Sequence, residues 1–179
     1  MNVRVLPVLA GLVCLFALAT GVARASSKGD DALRIDLVTP VNFAPTADCP
    51  TGAALYGVSL GPQRGSGSNC IGDEIPVPCP VGVTAQSCEN VPVRMELSLP
   101  GGTITGDVTI FEARTCDVTC DVEQTWSGTV SAARRFQKLD GGSLSGGGLF
   151  AYDATTFALV AFDEVLVITP PDGHGGDDR

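Results

Sequence analysis

The stretch "VRMELSLPGGTITGDVTIFEARTCDVTCDVEQTW", residues 93–126, decides the fold. Val93, Met95, Leu97 and Leu99 fall on one face of a strand, with polar residues between them. Gly101-Gly102 then reads as a two-residue hairpin turn. In that register Leu99 meets Ile104, Leu97 meets Gly106, Met95 meets Val108 and Val93 meets Ile110. On the other face Ser98 meets Thr105, Glu96 meets Asp107 and Arg94 meets Thr109. A one-residue slip would scramble both faces. Pro100 fits least well, because it brings no N–H to the edge of the turn.

A second hairpin follows. With Asp117 to Thr119 as its loop, Cys116 faces Cys120, Ile110 meets Trp126, Val108 meets Gly128 and Gly106 meets Val130. The opposite face pairs Thr109 with Ser127 and Asp107 with Thr129. The two registers are set independently, yet both put Val108 and Ile110 on the apolar face. Facing residues of an antiparallel pair lie ~4.5–5.5 Å apart at Cα, inside the window a disulfide needs. Cys116 and Cys120 therefore read as the staple of a hairpin. Thr119 is β-branched and suits a tight left-handed loop position poorly, which leaves room for a wider loop in the same register.

The other cysteines agree with a staple. The chain has seven, and Cys14 lies in an apolar N-terminal run. The remaining six are Cys49, Cys70, Cys79, Cys88, Cys116 and Cys120. An even set in an exported chain predicts a disulfide framework, and spacing alone does not choose among the pairings of the rest. Zinc needs a second close pair of ligands, which the spacing does not offer, and there is no C-x-x-C redox motif. The only histidine, His174, sits in the glycine-rich segment "PPDGHGGDDR".

Around this core the chain divides into three parts. Residues 1–25 read as a signal peptide: Arg4, the apolar run "VLPVLAGLVCLFALATGV", and the small-x-small motif "ARA" at 23–25. Residues 26–169 read as one β domain. In it "ALRIDLV" alternates as a strand. Residues 49–92, rich in Gly, Pro and Ser, read as cysteine-tied loops whose prolines argue against central strands. Residues 93–169 form a β-meander. "SAARRFQKL" reads as a short helix or a continuing strand, and "TFALVAFDEVLVIT" as a central strand covered on both sides. Gly146 to Gly148 mark a kink or a loop. Residues 170–179 read as a polar tail. The expected fold is all-β, an antiparallel sandwich or barrel built as a meander of hairpins.

Removal of residues 1–25 leaves nine basic against twenty acidic residues, a net charge of −11. That argues against nucleic acid and anionic membrane as partners, since both need a basic face. No second apolar segment is long enough to span a bilayer as a helix. Calcium is the one cation the acidity suggests, but no EF-hand order of ligands supports it.

Catalytic groups are few. With no scaffolded histidine there is no base for a serine nucleophile. Two carboxylate pairs stand out instead. Glu96 and Asp107 fall opposite each other, as a shared-proton or cation site, or simply as a solvated face with Arg94 near Asp107. Asp163 and Glu164 interrupt an apolar strand, so one of them points inward. Trp126 belongs to the core face, and Tyr56 and Tyr152 are unassigned. Arg64, in "GPQRGSGSNC", sits where a protease-inhibitor loop would carry it, or in a plain surface connection. The leading expectation is an exported, acidic, non-catalytic domain, structural or binding an extracellular or envelope partner, without a cofactor. The alternatives are a carboxylate-based extracellular enzyme and a protease inhibitor.

Overall fold

A computed structural model describes residues 32–50 and 52–171 of the chain. The expected signal peptide (1–25) and all but the first two residues of the polar tail, with His174, lie outside the described residues. The strands are β1 (Leu33–Ala44), β2 (Ala53–Leu60), β3 (Gln63–Ile71), β4 (Ile75–Val77), β5 (Ser87–Leu99), β6 (Gly102–Cys116), β7 (Thr119–Ala132), β8 (Ser143–Asp153) and β9 (Leu159–Thr169). Eight of them close an antiparallel up-and-down barrel. β3 pairs with β5, and β9 returns to pair with β1. The short β4 continues the line of β3 along the start of β5, with Ile75 opposite Asn90. Closure gives each of the eight barrel strands two partners, and eight strands enclose a space that side chains can fill or that one small ligand can occupy.

The alternation of residues builds the wall. Along β5, Val91, Val93, Met95, Leu97 and Leu99 are buried, while Pro92, Arg94, Glu96 and Ser98 face outward. From β6, β8 and β9, Ile104, Leu144, Leu166 and Ile168 complete the same core. β9 alternates too: Glu164, Leu166 and Ile168 point inward, while Val165 and Val167 are only half-buried. The expectation of a strand covered on both sides is thus corrected. A barrel wall has one core face, and β-branched residues suit its outer face as well.

The β6–β7 register is as read from sequence, with Cys116 across from Cys120, Ile110 from Trp126 and Gly106 from Val130. The β5–β6 register is corrected by two residues: Leu99 faces Gly102, Leu97 faces Ile104, Met95 faces Gly106 and Val93 faces Val108. The turn is Pro100-Gly101, not Gly101-Gly102. Gly101 takes a φ of +99°, and the proline ring pre-sets φ at the position before it, the residue order of a type II turn. A shift of two leaves every side chain on its own face, so the pattern of apolar residues does not detect it.

The segment 49–92 is disulfide-tied, but part of it is barrel wall: β2 and β3 form a hairpin with Ala53 opposite Cys70 and Leu60 opposite Gln63. Its glycines are spacers rather than loop markers. A Cβ on Gly67 would fall 2.2 Å from Cε2 of Tyr56, the residue across the ladder. Pro92 sits inside β5, where its carbonyl accepts from Gly72 N–H at 2.8 Å. In an antiparallel ladder the N and C=O of one residue address the same neighbour, so the missing N–H falls at the break between β3 and β4.

One end of the barrel is plugged. A 3-10 helix, Arg134–Leu139, follows β7 and buries Phe136 and Leu139 in the core. It is tied to the β5–β6 turn by Ala133 N–H to Thr103 O (3.1 Å) and Arg135 N–H to Gly101 O (3.3 Å). Both ends of the barrel chain lie here, with Leu33 opposite Ile168. The three disulfides, Cys49–Cys70, Cys79–Cys88 and Cys116–Cys120, have Cα separations of 5.4, 5.2 and 4.0 Å. All three join segments at the other end, where β1 runs into β2, β4 into β5 and β6 into β7.

Candidate functional site

The unplugged end is a mouth. Toward it the wall residues change from aliphatic to aromatic and polar, and they surround a cavity of about 270 Å³. Tyr56 (β2), Trp126 (β7), Phe150 and Tyr152 (β8) and Phe162 (β9) form its aromatic lining. Phe150 meets Phe162 edge-on, with ring centroids 6.4 Å apart, and lies 5.7 Å from Tyr152. Tyr152 in turn stacks on Phe157 at 6.0 Å. Phe157 belongs to the β8–β9 turn, is 75% exposed and holds a φ of +58°. Phe43, at the mouth end of β1, is 64% exposed. The rim is therefore apolar as well as the wall.

Polar groups enter at one level of the lining. Arg114 of β6 reaches Glu112 (3.2 Å), Glu89 (3.5 Å) and Glu74 (3.7 Å). Gln124 Nε2 donates to Glu112 Oε1 at 2.8 Å, and Trp126 Nε1 donates to Gln124 Oε1 at 3.3 Å. The chain of contacts from Trp126 to Arg114 fixes the indole and the carboxylates together. It does not satisfy every atom: Glu89 Oε2 and Arg114 Nε are buried without a hydrogen-bond partner. Burial, followed by a hydrogen bond with Glu74, raises the Glu89 carboxyl above the usual carboxylate range.

Glu164 stands apart from this network. It is 2% exposed, lines the cavity from β9, and has neither a hydrogen bond nor an ion pair from its side chain among the described residues. Burial, with the negative charges of Glu112 and Asp163 adding to it, pushes its carboxyl from the ordinary 4.5 up to about 8. Tyr56 Oη donates to Asn69 Oδ1 at 2.8 Å in the same buried region. Burial first, then the charge of Glu164, drives the phenol far above its ordinary value. At neutral pH the site therefore holds a protonated carboxylic acid and a phenol that does not ionise.

The carboxylate pairs read from sequence do not converge. Glu96 faces Thr105 and Asp107 faces Arg94, all on the exposed outer face of β5 and β6. The two-residue change of register removes the opposition that the pairing rested on. Asp163 and Glu164 alternate, Asp163 exposed and Glu164 inside. Arg64 lies in β3 opposite Ser59, so the free loop that an inhibitor would need is a paired strand. All six cysteines of the described residues are in disulfides, Cys116 and Cys120 with each other. Among the described residues no group of three His, Cys, Asp or Glu side chains is placed to hold a metal, and no helix is long and apolar enough to cross a membrane.

Sequence reasoning missed Glu112, Arg114 and Gln124, although the signal was present. They follow Ile110 and precede Trp126 at even spacing, so the correct β6–β7 register already placed charged residues on the inward face. No protein-family model matches the chain, and no curated protein and no solved structure matches it.

Proposed function

We propose that this disulfide-stapled barrel is an exported, non-catalytic binding domain whose mouth cavity holds one small, largely apolar molecule. The observation that carries the reading is the aromatic-lined cavity at the one unplugged end of the barrel. Its volume, about 270 Å³, lies just under the ~300–1,000 Å³ of sites for drug-sized ligands, which favours a small one. The disulfides support the same reading, since three bridges at the mouth hold the loops that frame the entrance. The pairing of all six cysteines of the described residues, with the signal-like residues 1–25, supports an oxidising compartment.

Trp126 is the only tryptophan in the chain and lines the cavity. Its indole N–H resonance therefore reports occupancy. Titration with the neutral probe 2-phenylethanol should give saturable shifts at Trp126 and at backbone amides of β7, β8 and β9 near the mouth. Shifts scattered over the outer face of β5 and β6, or no shift at all, would sink the binding-cup reading. A second reading, a carboxylate-based enzyme, is favoured only by Glu164, the one acid of the expected pairs that reaches the cavity. Conversion of a bound probe that is lost in Glu164→Gln would put that reading first.

A further inference from the structure

We propose that Glu164 makes the cavity a receptor for a small organic ammonium, an amine carried on an aromatic or aliphatic body. The inference rests on the binding-cup reading and adds the class of ligand. Its basis is the position of Glu164: a carboxyl 2% exposed, lining the cavity, and without a hydrogen-bond or ion-pair partner of its own among the described residues. With no protein partner, a carboxyl that lines the cavity is open to pairing with a molecule seated there. The cation that lines the same cavity, Arg114, is taken by Glu74, Glu89 and Glu112.

What completes Glu164 follows from the rest of the lining. Even with the Glu164 proton in place, three carboxyl groups, Glu74, Glu89 and Glu112, share the mouth region with one guanidinium. The entrance is net negative, and a low-dielectric cleft of one sign draws in the opposite charge. An anionic ligand is disfavoured on the same ground. A bare metal ion would need several converging oxygens, and among the described residues no group of three His, Cys, Asp or Glu side chains forms around Glu164. An ammonium needs one carboxylate and gains from aromatic faces, here Tyr56, Trp126 and Phe162. The small volume suits an amine with a single ring or short chain.

The proton balance gives the proposal a signature. The groups that share the cavity with Glu164 are Tyr56 on β2, Glu112 and Arg114 on β6, Tyr152 on β8, and Glu74 between β3 and β4; Glu89 on β5 stands behind them, paired with Arg114, and Asp163 acts from the outer face of β9. In the empty protein Glu164 holds a proton at neutral pH. An arriving ammonium stabilises the carboxylate, and that proton leaves to solvent. Affinity for an amine then rises between pH 6 and 8, and levels off until the amine itself deprotonates near pH ~10. A neutral hydrogen-bond acceptor would behave in the opposite way, because it needs the protonated acid as donor and weakens as that proton is lost.

The test is titration calorimetry of the disulfide-intact protein with 2-phenylethylamine, 2-phenylethanol and 3-phenylpropanoate, at pH 6, 7 and 8, in two buffers of different ionisation enthalpy. We expect the amine to bind at least about tenfold tighter than the alcohol at pH 8, the scale of a charged hydrogen bond. We also expect proton release at pH 7 and little binding of the acid. Glu164→Gln should lose about tenfold or more for the amine and leave the alcohol within about twofold. Equal affinity for amine and alcohol, or affinity that falls from pH 6 to 8, would overturn the ammonium proposal while the apolar cup stands. Binding of none of the three would remove both. Should Glu164→Gln not fold, the pH profile and proton count of the unaltered protein decide alone.

Discussion

Gly148 on β8 lies directly across the ladder from Glu164 on β9, and a Cβ at Gly148 would sit 2.8 Å from Glu164 Cγ and 2.6 Å from its Cα. The glycine is what gives the carboxyl its place inside the wall. Gln124 flanks the same glycine from the other side, on β7. A residue with no side chain thus stands between the two polar residues of that layer.

Gly148→Ala should destabilise the barrel by about 1–3 kcal/mol, the usual cost of overpacking. The added methyl meets Asp163 O at 2.0 Å, a backbone atom that cannot swing aside. Urea unfolding measures it, with Ser145→Ala on the exposed outer face as a reference expected within about 0.5 kcal/mol of the parent. Equal midpoints for the two variants would show that the strands part easily.

Glu164→Gln should change how stability depends on pH. The folded-state carboxyl titrates near 8 and the ordinary value is 4.5, so the folded protein binds this proton more tightly than the unfolded chain does. That contribution is fully present below pH 4.5 and is lost as pH rises through 8. At ~1.4 kcal/mol per pKa unit it amounts to several kcal/mol. Relative to the glutamine variant, the parent should therefore weaken progressively from pH 4.5 to 8 and then level off. A difference in urea midpoint that stays constant over this range would show that Glu164 is not desolvated.

The parts of this arrangement differ in how far the chain reveals them. Alternation in β5 and β6 and the Cys116–Cys120 pairing were legible because they are local, while the β5–β6 register was not, because a slip of two keeps every side chain on its face. β2 and β3 were not, because Gly65 and Gly67 carry the composition of a loop while serving as space for Val58 and Tyr56 across the ladder. The site was half legible. Charges at Glu112, Arg114 and Glu164 fall on inward positions of strands that can be read one at a time. Their convergence on Tyr56 depends on β9 pairing with β1 and β3 with β5, closures between distant segments that no local pattern records.

Loss of the disulfides should follow loop length. By the chain-entropy relation, removing Cys49–Cys70, with a separation of 21 residues, costs about 3 kcal/mol. Removing Cys116–Cys120, with a separation of 4, costs about 2 kcal/mol. Paired serine variants compared by denaturant unfolding should keep that order. The reverse order would mean that the β6–β7 staple works through native contacts at the mouth rather than through the unfolded chain.

Tyr56→Phe should cost about 1–3 kcal/mol, because it leaves Asn69 Oδ1 buried without its donor. The double change with Asn69→Leu should recover part of this loss, since both polar partners then disappear together. A Tyr56→Phe protein as stable as the parent would mean that water reaches Asn69 from the cavity.

Arg114→Met should act as a pH-dependent lesion. The guanidinium is the one cation among Glu74, Glu89 and Glu112, and its side chain is a quarter exposed. Breaking a fully buried pair costs 3–5 kcal/mol, and partial exposure reduces that to roughly 2–3 kcal/mol at pH 7. Methionine keeps the apolar stem but leaves mutually repelling carboxylates. Glu89, its carboxyl already held above the usual range by burial, then loses the cation that opposes this, so the variant should regain stability as pH falls from 7 toward 4.5. The parent, with Arg114 in place, should not gain in proportion. Unfolding midpoints of both proteins across that interval test the argument. If the gap fails to narrow in acid, Arg114 serves the mouth through the packing of its stem and not through its charge.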